Sequence, residues 1–295
     1  MQNKLLSENV IRCIRLCFVF GLLLISVSCG KNAEGMPDTK IIVVAYHDID
    51  DKMPNEYSAS RMMFVKQALS LRERQYVSIN ADDYLAWLRG EKVLPAKCFM
   101  LTFDDGNSSD YDFVYPVLKK LKLRATFFPV VNNIDRPGYL TSEQIRIMSH
   151  GERCSFGSHT LSHKRLMLLD DKEIEKEVAI SRQKLEEITG KEVKTLAYPY
   201  GFWNESVKRA LREAGYDMAF TVVSGFNDKN TDSLALRRIV VYKTITESYW
   251  AKLIDFDAEL YRNYYTQLLL KAEKFGDKVT AVACQQELQR MDSLH

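Results

Sequence analysis

A chain of 295 residues, 46% hydrophobic and 27% charged, has an ordinary globular composition and is long enough for one large domain plus an accessory piece. Its formal net charge of +2 comes without a long basic block, which argues against nucleic acid or an anionic surface as a partner. No Gly-x-Gly-x-x-Gly pattern occurs, and the phosphate-loop spacing from Gly30 to Gly35 lacks its following Lys, so nucleotide binding is not favoured.

The N-terminus opens with Lys4, Arg12 and Arg15 before "LCFVFGLLLISVSCG", an apolar run short of a comfortable membrane span. A charged start, a short apolar core and small residues at its end form the pattern of a secretory signal. "SVSC" resembles a bacterial lipoprotein cleavage site, so residues 1–28 read as a signal peptide and Cys29 as the lipid-bearing residue. The alternative is an uncleaved N-terminal anchor helix. Either sends the remaining chain across a membrane, and the expectation is an exported, membrane-anchored lipoprotein of a bacterial cell envelope. Three cysteines then remain, Cys98, Cys154 and Cys284. Their wide spacing fits no disulfide framework, and no Cys-x-x-Cys pair marks a zinc knuckle or redox centre.

Residues 29–39 read as a polar linker. "IIVVAY" (Ile41 to Tyr46) is a buried strand with His47 at its C-terminal end. Phe64, Ala68 and Leu71 share a helical face, "YVSIN" is a short strand, and Tyr84, Leu85 and Leu88 mark a short helix ending at Gly90. "CFMLTF" is a strand, "YDFVYPVLKKL" a helix, "ATFFPVV" a strand and "SEQIRIMSH" a helix. "CSFGSHT" is a short strand feeding a His-rich turn. "DKEIEKEVAISRQKLEEITG" is an amphipathic helix with Ile174, Val178, Ser181, Leu185 and Ile188 on one side, its charges on a solvated face, and Gly190 as its stop. "TLAYPYG" is a strand ending in a turn, and "NESVKRALREAG" a helix capped by Asn204 and stopped by Gly215. "DMAFTVV" and "RRIVV" close the series. Strand-helix alternation implies parallel strands covered by helices, in an α/β barrel or a doubly wound sheet. Beyond about Thr244, Trp250, Leu253, Ile254, Leu260, Tyr261, Tyr264 and Leu268 predict a helix up to Gly276, and Val279, Val282, Leu288 and Met291 a second. This C-terminal helical hairpin is expected to turn its aromatic stripe onto the barrel rather than toward a partner, and no protein partner is inferred.

Functional groups in parallel α/β sheets gather at the carboxyl ends of strands. Those ends here carry His47, the adjacent Asp104 and Asp105, the pair His159 and His163, and "YPYG". Burying two neighbouring carboxylates costs several kcal/mol unless a cation or a shared proton compensates. "HTLSH" spaces two imidazoles four apart, so that on one helical turn both would face the same way. With Asp105 they make a two-His, one-carboxylate donor set with open coordination positions, the layout of a catalytic metal site. Such a cation stabilises Asp105 as a ligand and leaves Asp104 free to take a proton from a water that the metal activates.

"TFDDG", "SHTLSH" and "YPYG", in this order, resemble the first three motifs of the polysaccharide deacetylase family (carbohydrate esterase family four). The resemblance runs from about Ile41 to Val241 and includes "RATFFPVV" and "LRRIVV". It implies a distorted parallel (β/α) barrel over residues 40–244, with residues 245–295 as a helical extension, and metal-dependent removal of N- or O-acetyl groups from sugars. By this resemblance Asp104 is the general base, Asp105, His159 and His163 hold a divalent cation, zinc being the favoured ion, and the backbone N–H of Tyr200 is the oxyanion donor. Two departures stand out. The usual Arg before the Pro of the third motif is absent from "LAYPYG", and no late His serves as acid, since only His295 follows His163. An early His after the first strand is similar to the permuted branch of the family, which includes exported poly-N-acetylglucosamine deacetylases, and this gives His47 the acid's role. Arg238 in "LRRIVV" is the candidate for the missing positive charge. The implied substrate is an N-acetylglucosamine-containing polysaccharide. The alternatives are an O-acetylesterase on xylan or a similar glycan, and a non-catalytic glycan-binding lipoprotein.

Overall fold

The computed structural model describes residues 38–275 and, beyond them, residues 281, 284, 285, 288, 289, 291 and 292. The signal segment and Cys29 lie outside the described residues. Strands β1 (Lys40–Tyr46), β2 (Asp48–Ile49), β3 (Ser58–Ala59), β4 (Val77–Ile79), β5 (Lys97–Asp105), β6 (Ala125–Pro129), β7 (Cys154–Phe156), β8 (Thr195–Ala197), β9 (Met218–Phe220), β10 (Phe226–Asn227) and β11 (Ile239–Val240) alternate with helices. The helices are α1 (Arg61–Glu73), α2 (Ala81–Leu88), α3 (Tyr115–Leu121), α4 (Ser142–Ser149), α5 (Asp171–Thr189), α6 (Glu205–Glu213), α7 (Glu247–Ile254) and α8 (Ala258–Phe275).

β1 is buried along all but its first residue, as expected of a parallel strand covered on both faces. The central sheet runs β10-β1-β5-β6-β7, with β11 also on β1 and β4 also on β5. Only β10 pairs antiparallel. β8 and β9 form a separate parallel pair. Single-residue bridges, Ser158 to Leu196 and Phe220 to Leu236, carry the strand order from β7 round through β8 and β9 toward β11 and β1. The result is a distorted parallel barrel.

Side-chain alternation sorts each strand between two cores. Ile41 and Val43 join Met100, Phe128, Ala197, Phe220 and Leu236 in the barrel interior. Ile42, Val44 and Tyr46 pack instead with Phe64, Ala68 and Leu71 beneath α1. This period of two decides what reaches the barrel mouth. His47 continues the interior set of β1, Asp104 that of β5, and Arg238 follows Leu236 by two.

Two predicted helices are broken. "YDFVYPVLKKL" begins with a π-helical turn, Asp110–Val114, before α3. Pro116 has no N–H to give, and the Tyr115 N–H bonds back to the carbonyl of Asp110 instead. The helix expected from Trp250 to Gly276 is two, α7 and α8, divided where Phe256 takes φ +55° and the Asp257 carboxylate accepts the Leu260 N–H at 2.8 Å. The aromatic stripe does pack inward: Trp250, Tyr261 and Tyr265 share the core of β1 and α1, and the Trp250 indole donates to Ser70 at 2.8 Å. Beyond Gly276 the described residues are helical, with Cys284 buried; Val279 and Val282 lie outside them.

Candidate active site

The carboxyl end of β5 gives its two aspartates opposite fates. Asp104 points into the barrel, 1% exposed. Arg238 meets it in a two-pronged pair, Nη1 to Oδ1 and Nη2 to Oδ2, both 2.8 Å. The guanidinium is itself fixed: Nε donates to the Thr221 carbonyl at 2.8 Å and Nη1 to Thr102 Oγ1 at 3.3 Å. Burial pushes the Asp104 pKa up, but the Arg238 charge beside it and the Arg238 hydrogen bonds outweigh that, and the net shift is well downward. Asp104 is held as a carboxylate.

Asp105, which regular alternation would send to the opposite face, leaves the strand in the left-handed region, φ +71°, and its carboxylate lies at the barrel mouth beside the histidines. Gly106 follows at φ +76°, and a Cβ there would sit 2.7 Å from that of Pro129, so the turn needs a glycine. Its Oδ1 lies 3.7 Å from the Nε2 atoms of both His159 and His163.

The two histidines converge, though not on a helical turn as their spacing predicts. They sit on a loop in which Thr160 and His163 have φ +68° and +60°. Side-chain-to-backbone bonds shape it: Ser158 Oγ accepts the Thr160 N–H at 2.9 Å, and Thr160 Oγ1 accepts that of His163 at 3.0 Å. Glu177 pins the loop from α5, accepting the Ser162 N–H at 2.8 Å. It belongs to the charge run read as a solvated face, yet it is 4% exposed.

His159 Nδ1 lies 2.8 Å from the Ala197 carbonyl. A carbonyl only accepts, so Nδ1 carries a hydrogen and Nε2 is the nitrogen that can serve as a ligand. That nitrogen faces His163 Nε2 at 3.1 Å. Burial, then the neighbouring His159, lowers the His163 pKa to about 4, which favours a neutral ring there. Two imidazole nitrogens and a carboxylate oxygen converging on one point are a donor set suited to a cation. The distances suit one: donors about 2.1 Å from a tetrahedral zinc stand ~3.4 Å apart, against the observed 3.1, 3.7 and 3.7 Å. Among the described residues, Asp105, His159 and His163 form the group able to hold a metal ion.

His47 stands beside this centre, close enough for the charges of Asp104 and Asp105 to act on it. Burial lowers its pKa, those carboxylates oppose the shift, and Arg238 and His159 add to it. Its buried Nδ1 has no hydrogen-bond partner among the described residues. Tyr200 takes φ +62° on the turn after β8, with its ring 4.8 Å from that of His163. The barrel end thus gathers all seven residues singled out in the sequence. It also holds one that was passed over. Asp110, on the π-helical turn, is fully buried with neither oxygen partnered. Burial, then Asp105, Asp48 and Asp104, raises its pKa well above the ordinary value. Only its place in "DDGNSSD" hinted at this, and there it reads as loop polarity.

Three known proteins carry the comparison further. BA0330 from Bacillus anthracis, named for the polysaccharide deacetylases, is 30% identical with a TM-score of 0.65, covering 73% of this chain and 69% of that one. IcaB from Ammonifex degensii is 27% identical with a TM-score of 0.67, covering 74% of this chain and 97% of its own. The poly-β-1,6-N-acetyl-D-glucosamine N-deacetylase of Staphylococcus aureus is 23% identical over 209 residues, 66% of this chain and 72% of that protein. The family pattern for polysaccharide deacetylases matches residues 91–219, a range that contains both aspartates, both histidines and Tyr200 but neither His47 nor Arg238. Pattern, fold and relatives agree: the chain belongs to the polysaccharide deacetylase family and is a hydrolase.

Proposed function

We propose that this chain removes N-acetyl groups from an N-acetylglucosamine-containing polysaccharide, with zinc held by Asp105, His159 and His163. The observation that carries this reading is the convergence of those three donors with Asp104 and His47 at one barrel end. A divalent cation on these donors supplies Lewis acidity, polarising the acetyl carbonyl and easing loss of a proton from water. Asp104, kept ionised by Arg238, accepts the proton of the attacking water. The backbone N–H of Tyr200 donates to the carbonyl oxygen as it gains charge. His47 delivers a proton to the departing nitrogen, and Arg238 fixes the direction of Asp104. An amine cannot leave unprotonated, whereas an alkoxide is less demanding, so an acid at His47 favours amide over ester. The activity named for the Staphylococcus aureus relative supports the same substrate class.

The test is acetate release from β-1,6-linked N-acetylglucosamine oligomers and from acetylated xylan, before and after chelation. Release from the amide, lost with chelator and restored by zinc, is the expected result. Release from xylan alone would replace this reading with an O-acetylesterase. Two variants separate the roles: Asp104→Asn should keep its metal and lose turnover, while Asp105→Asn should lose metal. The same reading places the chain outside the cytoplasm, anchored through a lipid on Cys29, on the strength of the charged start and short apolar run before that residue. Equal labelling of Cys29→Ser by a fatty-acid analogue would refute the anchor.

A further inference from the structure

His47 is edged by a row of aromatic residues that the chemistry above does not use. The Tyr57 ring lies 5.0 Å from the His47 ring, and Tyr242 lies 5.4 Å from Tyr57. Both tyrosines are 39% exposed, and Tyr249 on α7 is 41% exposed. Tyr249 lies near enough to Tyr242 to add to the upward shift that burial gives the Tyr242 phenol. These two tyrosines line a single cleft with Val222, Ile245 and Leu260, of about 480 Å³ including its opening to solvent.

We propose that Tyr57, Tyr242 and Tyr249 form a subsite that stacks on a pyranose ring of the polymer, neighbouring the sugar that is deacetylated. The proposal rests on the glycan reading of the active site. A pyranose presents an apolar face of C–H groups, which packs on an aromatic ring, and hydroxyls, which a phenol can bond; tyrosine offers both an apolar body and a polar tip. The row starts at His47, the residue assigned to the leaving nitrogen, so a ring bound along it is continuous with the reacting sugar. α7 thereby becomes part of the substrate groove rather than a packing element alone. A monomeric acetyl ester fills the reaction site and does not span to Tyr249.

The experiment uses the full chain with its metal. Tyr242→Ala and Tyr249→Ala are compared with the corresponding Phe variants, as kcat/KM on a β-1,6-linked N-acetylglucosamine pentamer and on a monomeric acetyl ester. The pentamer-to-monomer ratio should fall about tenfold in each Ala variant, mainly through KM, and Phe should restore most of it. Tyr249 is exposed on a helix, where Ala is well tolerated, so that variant keeps its fold. Calorimetric binding of the pentamer to Asp104→Asn separates this proposal from the one beneath it. Weaker pentamer binding when Tyr249→Ala is added upholds the subsite, even if the acetyl group hydrolysed proves to be an ester. An unchanged ratio together with unchanged binding overturns it and leaves the deacetylase reading intact. Self-association abolished by Tyr249→Ala, with the ratio unchanged, would assign the face to a second copy and also overturn it.

Discussion

Replacing Arg238 with Met tests the central electrostatic claim, because it removes the charge while keeping much of the side-chain bulk. The pair it breaks is almost dry: side-chain exposure is 1% for Arg238 and 2% for Asp104. Water cannot readily take over the two 2.8 Å bonds. An unpaired buried charge of this kind costs about 3–5 kcal/mol. The protein can lessen that cost by protonating Asp104, since burial already pushes the carboxyl up and the largest opposing influence, the Arg238 charge, would be gone. Arg238→Met should therefore lower stability in urea by a few kcal/mol. It should also move the acid limb of kcat/KM to higher pH, because a base that titrates later is unavailable until later. Asp104→Asn alone strands the guanidinium, at a cost of the same order. The double variant Asp104→Asn/Arg238→Met strands neither, so it should be more stable than the sum of the singles by about 1–3 kcal/mol. Denaturation of the four metal-loaded proteins, with the pH profile of Arg238→Met, measures both effects. Losses that add within about 0.5 kcal/mol, or an acid limb that stays in place, would refute the argument.

The other expectations concern the surroundings of the site. Asp110 has a folded-state pKa raised above 3.8, so it weakens the fold increasingly as pH rises from that value toward the folded one. Asp110→Asn should melt higher than wild type at neutral pH and converge with it in acid; parallel curves would show that Asp110 is not strained. Gly106→Ala forces a methyl against Pro129 at 2.7 Å in a left-handed turn. It should cost about 1–3 kcal/mol and reduce metal content by moving Asp105, and calorimetry with metal analysis checks both. Glu177→Gln loosens the loop that presents His163. Changes behind metal ligands commonly weaken binding about 10–100-fold, and a competing chelator would detect that loss; an unchanged zinc affinity would free Glu177 of any role in placing the histidine.

The sequence made the strand ends legible because each is an apolar run stopped abruptly by a group that water or a cation must satisfy. His47, Asp104 and Asp105 follow such runs directly, and a period of two then assigns Asp104 and His47 to one face. Arg238 was ambiguous for a definite reason: Arg237 precedes it, neighbours on a strand face opposite ways, and only the bridge at Leu236 and the pairing of Val44 with Ile239 fix which one enters. The histidine loop misled because spacing of four is shared by a helical turn and by a loop with two left-handed residues, and nothing in Thr160 or His163 announces that conformation. Glu177 was hidden in a helix most of whose other charges are exposed. Its partner, the Ser162 N–H, exists only once the loop is folded against α5. The break at Phe256 escaped because the apolar periodicity of α7 and α8 continues across it.

Two like charges in adjacent positions are tolerable here because the backbone separates their environments within one residue. Asp104 keeps the pleat of β5 and enters the barrel, where a guanidinium matches both of its oxygens. Asp105 abandons the pleat at φ +71° and swings toward the histidines, where a metal ion can match it. On the proposed function each carboxylate thus has its own cation, and the division would also set their chemistry. A base must give up its proton on every turnover, and on that reading a fixed guanidinium would hold Asp104 ready as a carboxylate. A ligand must remain ionised throughout, which a bound cation would ensure. Gly106 is what permits the division, since no side chain would fit beside Pro129 at the turn that separates the two. The tripeptide is therefore one device: a carboxylate for the interior, a carboxylate for the metal, and the glycine that lets the chain turn between strand and loop.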